Sequence, residues 1–141
     1  MSEKFAGNLS KNSVNALLVD TTVWIDLSRG GYQAADFLST ARRSGRITCS
    51  VINIMEVMLG DAAGKHQRAL SEMFKPFEVL PVTEEDGWQA LRILKSSARH
   101  SGIGVLDALI AATAIREKLT LATHNLKHFN AVLGLKTIKP Y

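Results

Sequence analysis

The run Ala16-Leu17-Leu18-Val19-Asp20-Thr21-Thr22-Val23-Trp24-Ile25-Asp26-Leu27 opens on four consecutive apolar residues that stop at an acid followed by two threonines. Four apolar residues without alternation fit a strand buried on both faces, as in a parallel sheet covered by helices on each side. Asp20-Thr21-Thr22 can then cap a helix carrying Trp24, Ile25 and Leu27. A strand ended by an acid at the start of a helix sets the reading of everything that follows.

Outward from this unit, short apolar runs alternate with longer helical ones. Gly30-Gly31 breaks the first helix, and Gln33 to Arg43 presents Ala34, Phe37, Leu38 and Ala41 at helical spacing. Ile47 to Cys49 reads as a second strand, after which Ser50 caps a helix over Val51 to Leu59. Another helix is expected over His66 to Phe74, then a third strand within Phe77 to Val82. Thr83-Glu84-Glu85-Asp86 resembles a capping box, with Asp in place of the usual Glu or Gln, opening a long helix through Trp88, Leu91 and Leu94. A helix from Val105 to Lys118, a strand from Leu119 to Ala122, a turn at Leu126 to Phe129 and a strand at Lys136 to Ile138 complete the pattern. This alternation predicts an α/β domain with a mostly parallel sheet of four or five strands flanked by helices. It spans residues 16–141, preceded by a polar leader over residues 1–15 that reads as flexible.

With 141 residues, 46% of them hydrophobic, the chain suits one domain with a core of its own. Seventeen basic against thirteen acidic residues leave a charge of +4, compatible with a polyanionic partner, although the basic residues are scattered and an ordinary solvated surface explains each of them singly. The lone Cys49 cannot form an internal disulfide and reads as a buried thiol. The most apolar stretch, Ile103 to Ile115, is interrupted by Asp107 and too short for a bilayer, so no membrane association is expected and a cytoplasmic protein is.

Three acids stand in apolar surroundings: Asp20, Glu56 within Ile54-Met55-Glu56-Val57-Met58, and Asp107 within Val105-Leu106-Asp107-Ala108-Leu109. Carboxylates beside buried residues lose water, and two like charges 4 Å apart repel by about 4 kcal/mol at an effective dielectric near 20. A fold that gathers them must also hold something cationic, and a hard divalent ion such as Mg²⁺ suits an all-oxygen donor set. Asp20, Ser50, Thr123 and Asn125 each follow a predicted strand, which is where open parallel sheets place their ligands. Singly, Asp20 is also a helix cap, and Glu56, with Asn53 beside it, a solvent face.

These segments resemble the PIN-domain ribonucleases, in particular the VapC-type toxins of toxin–antitoxin pairs. The resemblance is carried by Leu18 to Leu27, Asn53 to Gly60, Leu106 to Ala114 and Leu121 to Phe129, in that order. It implies that Asp20, Glu56 and Asp107 bind one or two Mg²⁺ or Mn²⁺ ions, with Asp20 and Asp107 as direct ligands and Glu56 as a ligand through water or as a base. It also implies cleavage of RNA by water, leaving 5′-phosphate and 3′-hydroxyl ends, a homodimer, and a VapB-type antitoxin that blocks the groove. Asn125 stands where many relatives carry a fourth acid. Its amide can still serve a water or a phosphate oxygen, with Thr22 and Thr123 as supporting hydroxyls and Lys127 and Arg116 as candidate RNA contacts. Arg116 has the plainer role of answering its helix dipole, and Lys127 that of an exposed loop lysine. The alternative is a catalytically weak PIN-like module that binds RNA or protein. A nucleotide-binding regulator would need a glycine-rich loop after the first strand, and Asp20 to Trp24 has none. His100, His124 and His128 have no zinc-ligand spacing with Cys49.

Overall fold

A computed structural model describes residues 16–141, apart from the side chains of residues 98–100; the expected leader over residues 1–15 lies outside the described residues. Five strands form one parallel sheet: β1 (Ala16–Val19), β2 (Arg46–Ser50), β3 (Glu78–Leu80), β4 (Thr120–Ala122) and β5 (Thr137–Ile138), in the order β3-β2-β1-β4-β5. Between them run α1 (Thr21–Ser28), α2 (Tyr32–Ser44), α3 (Val51–Leu59), α4 (Gln67–Phe74), α5 (Glu84–Ser101), α6 (Val105–Arg116) and α7 (Leu126–Phe129). This is the α/β architecture expected from the alternation.

The sheet separates two apolar layers, and the strand alternation assigns residues to each. Leu17, Val19, Ile47 and Cys49 face a layer completed by Trp24, Leu38 and Phe74 from α1, α2 and α4. Leu18 and Leu121 face the other, completed by Ile93, Ile110 and Phe129 from α5, α6 and α7. Trp24 is wholly buried, donates its indole N–H to the Val19 carbonyl at 2.9 Å, and packs on Phe74 and Phe77 at centroid distances of 5.1 and 4.9 Å. Cys49 is buried as expected, and burial pushes its thiol pKa up to about 12. No described helix is long and apolar enough to cross a membrane.

Some boundaries shift for local reasons. Lys118 takes a left-handed φ of 57° and Leu119 donates back to the Ala114 carbonyl, so α6 ends at Arg116 and β4 begins at Thr120, inside the expected limits. Pairing of β3 is confined to Glu78–Leu80, between Pro76 and Pro81. The Thr83–Asp86 capping box forms in both directions, at 3.0 and 3.2 Å.

The connections fix where a ligand can enter. From β1 the chain proceeds through α1 and α2 to β2 on one side, while β4 pairs with the other edge of β1. The loops leaving the carboxyl ends of β1 and β4 therefore diverge, and such a switch point leaves a crevice at the sheet edge.

Candidate active site

Asp20 leaves β1 at this crevice and is only 6% exposed. As the N-cap of α1 it accepts from the Thr21 N–H at 2.9 Å through one oxygen, and from the Thr123 hydroxyl at 2.8 Å through the other. Thr123 follows β4, so this bond spans the two diverging loops. Burial raises the Asp20 pKa above the usual carboxylate range, against the opposing pull of Thr123, Thr21 and the nearby His124.

Glu56 reaches the same place from α3. The Asn53 side chain accepts from the Ser50 N–H at 2.7 Å, closing a capping box at the start of α3. With its oxygen so engaged, Asn53 turns its amide nitrogen to the Thr21 hydroxyl at 2.9 Å, and Thr21 donates its proton to Glu56 at 2.6 Å. The bond directions run one way, from backbone to amide to hydroxyl to carboxylate, and they hold Glu56 as an acceptor.

Asp107 lies in the first turn of α6, at the helix end that favours an anion. Its pKa is nevertheless raised, first by burial, then by the charges of Asp20 and Glu56, with His128 pulling the other way. Asp107 thus feels two acids from two other segments. Among the described residues no lysine or arginine pairs with any of the three; their cationic neighbours are histidines, His124 near Asp20 and His128, whose Nδ1 stands 3.8 Å from Asp107. Oxygen-only donors with uncompensated charge suit a hard divalent cation. As the side chains stand, no three His, Cys, Asp or Glu among the described residues are close enough to grip an ion. The acids are instead turned onto protein partners: Asp20 onto Thr21 and Thr123, Glu56 onto Thr21, Asp107 toward His128.

The remaining candidates divide. Asn125 sits at the same edge, its N–H held by the Thr123 hydroxyl at 2.9 Å, and Lys127 is exposed two residues on. Thr123 is buried and links Asp20 to Asn125. Thr22 is exposed, because the phase of α1 turns Thr21 inward instead. Arg116 is a correction. Its guanidinium clasps buried Asp86 at 2.8 and 3.1 Å and also reaches Glu117 at 2.7 Å, which leaves the side chain 19% exposed and committed to the fold rather than to RNA. Thr21, Asn53 and His128 went unrecognised in the sequence. Asn53 had a usable signal as the third helical residue after a capping serine, whereas a lone histidine one turn after Asn125 carries none.

A PIN domain family model matches residues 17–132. Ribonuclease VapC10 of Mycobacterium tuberculosis (strain ATCC 25618 / H37Rv) is 37% identical over 121 residues, which cover 85% of this chain and 90% of that protein. Ribonuclease VapC1 of Rickettsia felis is 32% identical over 132 residues, covering 86% and 94%. Among solved structures, DNA-bound VapBC from Salmonella typhimurium superposes with a TM-score of 0.75 over 89% of this chain and 98% of that one, at 23% identity, which supports the fold. With the PIN model matching residues 17–132 and VapC relatives 32–37% identical over most of both chains, this chain belongs to the PIN-domain family and, within it, to the VapC type.

Proposed function

We propose that this chain is a divalent-metal-dependent endoribonuclease acting in the cytoplasm as the toxin of a toxin–antitoxin pair. The observation that carries the reading is that Thr21 binds Asp20 through its N–H and Glu56 through its hydroxyl while both acids bear on Asp107, with no lysine or arginine paired to any of the three among the described residues. The relatives named ribonucleases support the activity, and the VapBC complex supports a VapB-type antitoxin as partner. A homodimer is proposed with it. The proposed domain spans residues 16–141, with residues 1–15 as its leader.

Asp20 and Asp107 would hold Mg²⁺ or Mn²⁺. When bound, the ion supplies Lewis acidity toward a phosphodiester oxygen and a water of lowered pKa, so that no side chain need attack phosphorus. Glu56, fixed as an acceptor by Thr21, takes the proton of the attacking water or anchors the ion through water. Thr123 holds Asp20 in place and ties Asn125 to it, and Asn125 offers an amide to water or phosphate. Lys127 offers a cation to the RNA backbone, and the ribose 2′-hydroxyl has no part, so preference for RNA comes from binding.

A second reading, a weakly catalytic RNA- or protein-binding module, draws on Asn125 in place of an acid and on the acids' present engagement with protein donors. One assay separates the two. Purified protein is incubated with structured RNA and Mg²⁺ or Mn²⁺, with EDTA, Asp20→Asn and Asp107→Asn as controls. Cleavage by wild type that EDTA and both variants abolish supports the nuclease. Binding without metal-dependent cleavage supports the module, and equal cleavage by wild type and variants refutes the site.

A further inference from the structure

We propose that His128 is a positioning residue, acting through Asn125: it holds the amide by its nitrogen, so that the carbonyl oxygen is the end left to serve ion, water or phosphate. This deepens the nuclease reading above and rests on it.

An asparagine side chain has two ends of nearly equal shape and opposite hydrogen-bonding sense, and a half-turn exchanges them. Beside three carboxylates the favoured orientation would turn the NH₂ toward the acids and the oxygen away. At this site the Asn125 backbone is already placed, since its N–H donates to the Thr123 hydroxyl that in turn donates to Asp20. What remains to be set is the amide, and its Nδ2 lies 2.7 Å from His128 Nδ1.

An amide nitrogen can only donate, so this 2.7 Å bond requires Nδ1 of His128 to accept, which is the tautomer the test below reads. The neighbouring carboxylate does not share this bond. Asp107 Oδ2 is 3.8 Å from Nδ1, beyond hydrogen-bond length, and the lone pair of that nitrogen is already taken. His128 therefore serves Asn125 first and merely borders Asp107. Among the described residues the side-chain oxygen of Asn125 has no hydrogen-bond partner, so it is free to join the Asp107 carboxylate and the second oxygen of Glu56 as a hard donor at the site. Leu126–Phe129 forms a single helical turn, which sets residue 128 beside residue 125 and lets the pair form without distant contacts.

The test uses His128→Ala, His128→Gln and Asn125→Ala, with both His128 changes also made on the Asn125→Ala background. Mn²⁺ affinity is measured by calorimetry and RNA cleavage as separate kcat and KM, while long-range ¹H–¹⁵N spectra of the unaltered protein report the His128 tautomer. The expected result is the proton on Nε2, Mn²⁺ affinity and kcat lowered roughly 10-fold in His128→Ala with little change in KM, and substantial recovery in His128→Gln, whose carbonyl can accept from Asn125. On Asn125→Ala the His128 changes should do nothing further, because the group through which they act is gone. Equal loss on both backgrounds, a proton on Nδ1, or no effect of His128→Ala while wild type binds Mn²⁺ and cleaves RNA overturns the inference alone. Wild type that neither binds Mn²⁺ nor cleaves RNA overturns the nuclease reading and this inference with it.

Discussion

Replacing Arg116 by methionine should cost the protein its stability and leave its RNA affinity alone. Asp86 is wholly buried and receives four hydrogen bonds: from the Thr83 N–H, from the Thr113 hydroxyl, and two from Arg116 at 2.8 and 3.1 Å. Burial works to raise the Asp86 pKa, but Arg116 with Thr83 and Thr113 pulls it below the usual range. Methionine keeps much of the packing and removes both guanidinium bonds, stranding a buried carboxylate, which costs roughly 3–5 kcal/mol. For a chain of this size that lowers the melting temperature by roughly 10–15 °C. The pH dependence carries a sign. A depressed folded pKa contributes stability that is present above the unfolded value of about 3.9 and is lost as pH falls through the folded one. Without Arg116, burial dominates and the folded pKa moves above the unfolded value, so the deficit of the variant narrows as pH is lowered toward 4. Adding Asp86→Asn should recover part of the loss. Urea and thermal unfolding of the single and double variants across pH check this, beside RNA affinity of the folded protein. An unchanged melting temperature with weakened RNA binding would refute the structural role and restore Arg116 as an RNA contact.

The acid cluster predicts opposed effects on stability and activity. Asp20 and Asp107 have raised folded pKa values, so each weighs against the metal-free fold at neutral pH and is relieved as pH falls through its folded pKa. Asp107→Asn should therefore abolish cleavage yet stabilise the protein in EDTA at pH 7 by roughly 1–2 kcal/mol, the scale of one or two screened like-charge contacts; a lower melting temperature would count against the cluster. Thr21→Val removes the hydroxyl between Asn53 and Glu56 and leaves a buried amide nitrogen without its acceptor, at roughly 1–3 kcal/mol, with cleavage reduced about 10-fold. Thr22→Val, one residue along and exposed, should change unfolding by less than about 0.5 kcal/mol and leave kcat as it is. Equal effects at the two threonines would overturn the assigned helix phase.

The parts of the fold that depend on local pattern were legible in the chain. Ala16 to Val19, buried on both faces, reads as a parallel strand because it has no alternation, and Asp20 is marked by ending it. Asp107 stands out because its neighbours in the chain are apolar all round, although the fold leaves its side chain 28% exposed. What escaped depended on rotation and on meeting. Choosing Thr21 over Thr22 needs the phase of α1 against α3, about one hundred degrees of turn that two adjacent threonines do not disclose. His128 meets Asn125 within a single local turn, but the Asp107 carboxylate beside it comes from another helix and only the folded chain brings it there. Arg116 was misread for the opposite reason: its dipole role is visible locally, but Asp86, thirty residues earlier, claims it.

The most direct measurement is a crystal of the wild-type protein grown with Mn²⁺ and recorded for anomalous scattering. The account predicts a peak bounded by the carboxylates of Asp20, Glu56 and Asp107, with Asp20 released from Thr123 or Thr21 to meet it, and no such peak in Asp107→Asn. A peak elsewhere on the molecule, or full Mn²⁺ occupancy at an unchanged site in Asp107→Asn, would contradict it.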